Sequence, residues 1–218
     1  AKKFSSNYTV IFVALVSVVC ALLLSLAASA LQGKIKTNQR LDVNKNILAC
    51  FDVYGSDGLP ARNAADEQAV MEFFERRVDA FVVNAAGKTI DLDVPVATIE
   101  PWDDQAQVRD GERDFDKLRL PVYVLRGDGA VEAYCIPIWG KGLWGDIYGY
   151  LAIEPDGTTV RGITFLSNHK ETPGLGARIE EEAWRNQWKG KQIFSADGKL
   201  TPIRLHKGEV PPDWPAAK

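Results

Sequence analysis

The sequence predicts an α+β protein: one N-terminal transmembrane helix, then a single domain in which helices pack on an antiparallel β-meander. Three observations carry this reading. A run without charge opens the chain, from Phe4 to Gly33. Short alternating segments then recur between residues 118 and 166, separated by Asp128-Gly129 and Pro155-Asp156-Gly157. Helical spacing of apolar residues appears on both sides of those segments.

The apolar run is long enough to span a membrane. Tyr8 to Leu31 is interrupted only by Thr9, Ser17, Ser25 and Ser29. As a helix it reaches about 36 Å, against about 30 Å of hydrocarbon. Ala28-Ser29-Ala30 resembles a signal-peptidase site, but a signal peptide's apolar region runs to about 7–15 residues. The anchor is the preferred reading. Residues 1–31 are assigned to it, 32–53 to a juxtamembrane helix and 54–218 to the domain. The flanking charges do not fix orientation. Lys2 and Lys3 lie on one side and Lys34, Lys36, Arg40 and Lys45 on the other, and long domains translocate largely regardless of such charges.

Leu41, Ile47, Leu48 and Phe51 give the juxtamembrane helix a partial apolar face. Tyr54 to Pro60 is a loop. A second helix is expected to place Val70, Phe73, Phe74, Val78 and Phe81 on one core stripe. Asn84 to Asp93 reads as a hairpin through Ala86-Gly87, and Pro101 to Asp116, with Trp102 alone among charges, as a surface excursion. Four antiparallel strands follow: Leu118 to Val124, Ala130 to Ile138, Ile147 to Ile153 and Thr159 to Leu166. Asp-Gly supplies the positive φ values of a type I′ turn. Arg178 to Trp188 reads as a helix with Ile179, Ala183, Trp184 and Trp188 on its apolar edge. Gln192 to Phe194 and Leu200 to Leu205 read as a last hairpin. The proline-rich tail Val210 to Pro215 suits neither a helix nor a central strand.

Composition excludes several functions. All 29 acids follow residue 41, and two of the 26 bases precede the apolar run, so 24 bases face 29 acids beyond it. A mildly acidic domain is poorly suited to nucleic acid, and no such partner is expected. The cysteines are Cys20, Cys50 and Cys135, with no C-x-x-C. Cys50 and Cys135 are either two buried inert thiols, the favoured reading, or a disulfide. Two histidines, His169 and His206, are too few for a histidine-rich metal centre. No P-loop, nucleophile elbow or H-E-x-x-H is present, and no catalytic residue or metal ligand is assigned.

Two glycine-rich breaks carry the candidate site. The first is Trp139-Gly140-Lys141-Gly142-Leu143-Trp144-Gly145; the second is Glu171-Thr172-Pro173-Gly174-Leu175-Gly176, leading into the predicted helix. Glycines let a flat ring approach the backbone. Trp144 and Leu175 offer it apolar contact, and free N–H groups at a helix start can meet a carbonyl or phosphate oxygen. Glu180, Glu181 and Glu182 oppose a strong free-anion site there. From spacing alone, loops that only turn corners are the favoured reading. His169, near Glu171, reads as structural or solvated.

Together these segments resemble the C subunits of the sodium-translocating NADH:quinone oxidoreductases. The residues that carry the resemblance begin with Leu41-Asp42 and Lys45-Asn46-Ile47-Leu48. Gly140 to Trp144, Tyr150 to Ile153 and Gly162 to Phe165 continue it. His169, Glu171 to Gly176, Trp184 and Trp188 to Lys191 complete it. The E-T-P-G-L-G element is shared with the related G subunit of the Rnf complex, while Gly142-Leu143-Trp144 and the long insert favour the sodium pump. The resemblance implies an inner-membrane protein with its domain on the periplasmic side. It also implies FMN joined through its phosphate to a threonine of an S-G-A-T-x-T motif. That motif does not occur in these residues, so the attachment is expected beyond Lys218 and is not placed on Thr172 or Thr201. Lys141, Gly142, Leu143, Trp144, Glu171, Thr172, Gly174 and Leu175 are the implied flavin-binding residues. The implied role is electron transfer within the complex, without catalysis by this chain alone. The implied partners are an iron–sulfur-bearing pair of membrane subunits, a second flavin subunit and the lipid bilayer. A membrane-tethered extracytoplasmic binding or scaffold domain without redox activity is the alternative.

Overall fold

The computed structural model describes residues 6–56, 58–96, 99, 102, 118–167, 169–204, 206 and 208. It divides into two compact units, residues 1–42 and 43–218. Helix α1, Ser6–Phe51, is continuous across that division. Its apolar part is one helix long and apolar enough to cross a membrane, and none of that stretch is buried. Leu23, Leu24 and Leu26 are more than half exposed. A soluble protein's core helix would bury such side chains.

Within the second unit the character of α1 changes. Ile47, Leu48, Cys50 and Phe51 are fully buried. Helix α2, Glu67–Arg77, follows a loop; Asp66 caps it by accepting a hydrogen bond from Ala69 N at 2.7 Å. Arg76 and Arg77 sit in its last turn, favourably placed for the helix dipole. The expected stripe is cut short, because Val78 and Phe81 belong to strand β1, Val78–Val83. Three valines and a phenylalanine in six residues favour strand over another helical turn. β1 turns through Asn84–Gly87 to β2, Thr89–Ile90, so the hairpin's first strand precedes Asn84 rather than starting there. The Asn84 side chain accepts hydrogen bonds from Ala86 N and Lys88 N, which closes the turn.

Strands β3 (Leu120–Gly127), β4 (Ala130–Lys141), β5 (Asp146–Ile153) and β6 (Val160–Phe165) form the expected meander. With β1 and β2 they make one antiparallel sheet in the order β2-β1-β3-β4-β5-β6. Asp128 and Gly129 have φ of 47° and 83°, the pair of positive values a tight hairpin needs. The end of α1 lies against β5 and β6. Cys50 Sγ approaches the carbonyl oxygens of Tyr150 and Gly162, Thr164 Oγ1 donates to Asn46 O at 3.2 Å, and Arg161 Nε donates to Phe51 O at 2.7 Å. Gly162 permits this approach, since a Cβ there would overlap the Cys50 carbonyl.

Several expectations shift. Trp102 is not isolated: its indole N–H donates to Ile138 O at 3.3 Å, and its ring lies 5.4 Å from Tyr148 and 5.7 Å from Tyr150. Most of the excursion around it, and the tail from Val210, lie outside the described residues. Arg178 to Trp188 is not one helix. A 3-10 turn, Gly176–Glu180, meets an extended Glu181; then come α3, Glu182–Arg185, and a second 3-10 turn, Asn186–Trp188. So short a helix is marginal alone, and its course follows its packing: Trp184 contacts Phe165 and Trp188. The last hairpin keeps one isolated bridge, Phe194 with Leu200, while Gln192 bridges to Thr159 instead; Pro202 removes a ladder donor, and Leu205 lies outside the described residues. Cys50 and Cys135 are both buried and both free.

Candidate functional site

The first glycine break is narrower than its sequence suggests. β4 continues through Lys141 and β5 starts at Asp146, so Gly142 to Gly145 is a tight hairpin end, closed by Gly142 N donating to Gly145 O at 2.8 Å. Lys141, Leu143 and Trp144 are exposed at its tip. The second break follows β6. Thr172 O accepts from Leu175 N and Ala177 N, both at 3.1 Å. Gly174 takes a φ of 74°, open to glycine and costly to most residues.

Glu171 joins the two breaks. Its Oε1 accepts the backbone N–H of Trp144 at 3.1 Å. The carboxylate lies where a Cβ on Gly142 would fall, and 2.6 Å from where a Cβ on Gly176 would fall. One side chain therefore occupies the room two glycines leave, one from each loop. Glu171 is itself oriented: its N–H donates to His169 Nδ1 at 3.2 Å, and His169 Nε2 lies 2.6 Å from Glu180 Oε1. The Nε2 approach to Glu180 lacks hydrogen-bond geometry, so the contact that orients Glu171 is the one at Nδ1. The His169 side chain is only 3% exposed; it is a structural strut, as its sequence context suggests.

The product is a shelf rather than an enclosed pocket. Leu143, Trp144 and Leu175 are 82%, 63% and 73% exposed. Large apolar side chains exposed together mark a surface that something covers. All eight predicted site residues lie on these two loops or at their ends, and the Glu171 carboxylate links the loops. Its clasping role was missed: no motif shows that a glutamate in one loop fills space left by a glycine in another. Among the described residues no cluster of histidine, cysteine, aspartate or glutamate could hold a metal ion.

Residues 142–209 match the FMN-binding domain family, a span that contains both loops. Over 98% of its length the chain is 34% identical to the C subunit of the Na(+)-translocating NADH-quinone reductase of Yersinia pestis and covers 80% of it. It is 33% identical to the corresponding protein of Neisseria meningitidis, over 96% of this chain and 81% of that one. The crystal structure of NqrC from Shewanella oneidensis superposes with a TM-score of 0.64 at 28% identity, over 81% of this chain and 80% of that one. The C subunit from Parabacteroides distasonis superposes with a TM-score of 0.65 at 26% identity, over 81% and 77%. With its anchor-like helix, its six-stranded sheet and both loops accounted for, this chain belongs to the family formed by the C subunits of the Na(+)-translocating NADH-quinone reductases.

Proposed function

We propose that the chain is the electron-relay subunit of a sodium-translocating NADH:quinone oxidoreductase, and that the shelf between its two loops seats FMN. The clasped pair of loops carries this reading: three exposed apolar side chains stand over a backbone kept close by glycines, within the span that matches an FMN-binding domain. The residues fit the group. Trp144, Leu143 and Leu175 give apolar contact to a flat ring. Gly142 and Gly174 leave the backbone approachable, and Lys141 and the Thr172 turn stand at the rim for its polar edge and phosphate. Bound FMN supplies redox chemistry that no side chain of the site has. The protein's part is position: Glu171 fixes the spacing of the walls, and His169 Nδ1 orients Glu171. A scaffold without redox activity leaves the exposed shelf without a purpose.

The finer features follow the family. A covalent tether through the flavin phosphate follows the family, and none of the loop residues named here is assigned to it; they form the seat. The domain faces the periplasm, with α1 as its anchor in the inner membrane. Electrons arrive from an iron–sulfur centre held by membrane subunits and leave to a second flavin subunit. The test is flavin binding by the full chain in detergent, followed through flavin fluorescence, with Trp144→Ala as the variant. Loss of an aromatic contact worth about 1 kcal/mol weakens FMN about fivefold, and tryptophan quenching of bound flavin falls with it. Equal affinity and equal quenching in both proteins would show that the shelf is not the seat.

A further inference from the structure

A second site lies in the same domain. A cavity of about 480 Å³ opens between the end of α1 and the segment around α3, and none of the flavin-loop residues lines it. Three cations reach it, Arg62, Arg185 and Lys189, against two acids, Asp52 and Glu182. Lys189 Nζ and Asp52 Oδ2 neutralise one another at 2.7 Å. Arg62 has a long contact of 3.4 Å to the neutral Asn46 amide. Arg185 is less satisfied: its Nε is buried and has no hydrogen-bond partner among the described residues. Its guanidinium is held below the ordinary range, first by burial and then by the Arg62 charge, which Glu182 and Asp52 only partly offset. Two neighbouring guanidiniums, one of them short of a partner, cost stability unless an anion lies between them.

We propose that this cavity binds a small phosphate-bearing molecule through Arg62 and Arg185. Planar guanidiniums match phosphate oxygens with paired N–H donors. The volume falls in the range of small-molecule sites, about 300–1,000 Å³, and exceeds what the phosphate alone fills, so the group carries a body. Tyr54 lines the same cavity; its hydroxyl donates to Lys45 O at 3.4 Å, which leaves the phenol oxygen as a neutral acceptor for that body. The phosphate belongs either to a soluble phosphomonoester or to the monoester headgroup of phosphatidic acid, and both present the same group.

Calorimetric titration of the full chain in detergent tests this, with inorganic phosphate as the first probe. One saturable site is expected. Arg62→Gln and Arg185→Gln should each weaken it about tenfold, the usual loss for one charge-assisted contact. Glu182→Gln should leave it equal or tighter, because a like charge at the rim is gone. Glycerol 3-phosphate and dihexanoyl phosphatidic acid separate the two sources; tighter binding of one names the source, and either result supports the site. If Arg185→Gln fails to fold by circular dichroism, Arg62, an exposed position, decides alone. Absence of saturable binding with all three probes, or affinity unchanged in the arginine variants, overturns the proposal. Flavin retention is read separately and does not depend on this outcome.

Discussion

Substituting Gly142 by alanine tests the clasp most sharply. A Cβ at 142 would land on the Glu171 carboxylate, 2.8 Å from Ile147 Cδ1 and 2.9 Å from Gly145 O. The carboxylate can swing away; the carbonyl that closes the hairpin cannot. Such overpacking costs about 1–3 kcal/mol. In a domain of this size each kcal/mol lowers Tm by about 2–4 °C, so a mid-range cost of about 2 kcal/mol gives a drop of about 4–8 °C. The displaced Glu171 also releases the Trp144 N–H, and FMN affinity should fall about tenfold, equivalent to about 1.4 kcal/mol. Neighbouring glycines are internal controls. Gly145→Ala meets only Lys170 Cδ, at 3.7 Å, and should stay within about 0.5 kcal/mol. Gly174→Val meets no atom within 4 Å but inherits a φ of 74°, a cost of about 1–2 kcal/mol from strain alone. Differential scanning calorimetry and flavin titration read both effects. If Gly142→Ala behaves like Gly145→Ala in Tm and in FMN affinity, Glu171 does not hold the loops together.

Other consequences are checked more simply. Burial, opposed by the Arg62 charge, pushes the Tyr54 hydroxyl up to about 12 from 10.0; its folded value is the raised one, so its contribution to stability is complete below pH 10 and is lost as pH rises from 10 towards 12. Denaturation followed across that window should show the loss, and Tyr54→Phe should flatten it. Burial and the neighbouring Cys50 hold the Cys135 thiol well above its ordinary range, so native protein should resist thiol reagents at Cys50 and Cys135 until denatured; rapid native labelling of either would contradict the packing. Protease added to the periplasmic side of sealed cells should degrade the domain and leave Lys2 and Lys3 protected, whereas full protection of an accessible domain would reverse the proposed topology.

Much of this was legible because strong local rules agreed with the tertiary fold. The uncharged stretch is helical from Ser6 onward, as its length and apolar content require. Asp128-Gly129 fixes its hairpin through φ alone. The four meander strands each lie within a few residues of their predicted place. The misses share a cause: local preference was overruled by a partner distant in sequence. Val78 and Phe81 fit a helical stripe with Val70 and Phe73, yet pair with Leu125 and Val122 of β3, a partnership visible only in the sheet. Arg178 to Trp188 has helical spacing, but Trp184 is drawn to Phe165 and the backbone breaks at Glu181. At the site, the two glycine loops could be named, while the contact between them could not. That contact is made by one carboxylate across 27 positions.

The glycines of this domain answer to two different demands. Gly174 and Gly129 serve the chain's own turns, with positive φ values and nothing close by. Gly142 and Gly162 are instead defined by another segment's atoms, Glu171 and the Cys50 carbonyl, and Gly176 by the Glu171 side chain at the other end of its own loop. Glycines of the first kind can be read from a sequence window, because only the local backbone requires them. Those of the second kind record approaches between distant elements and look identical in the sequence. They also predict coupling. Alanine at Gly176 acts through Glu171, and alanine at Gly142 acts partly through it beside its clash with the Gly145 carbonyl, so pairing either with Glu171→Ala should return part of the lost stability, more of it at Gly176, a non-additivity that independent sites do not show. Gly162→Ala shares no partner with them and should add to either. A double-mutant cycle in which Gly142 and Gly176 are strictly additive with Glu171 would mean that the carboxylate moves aside freely and the shelf has no clasp.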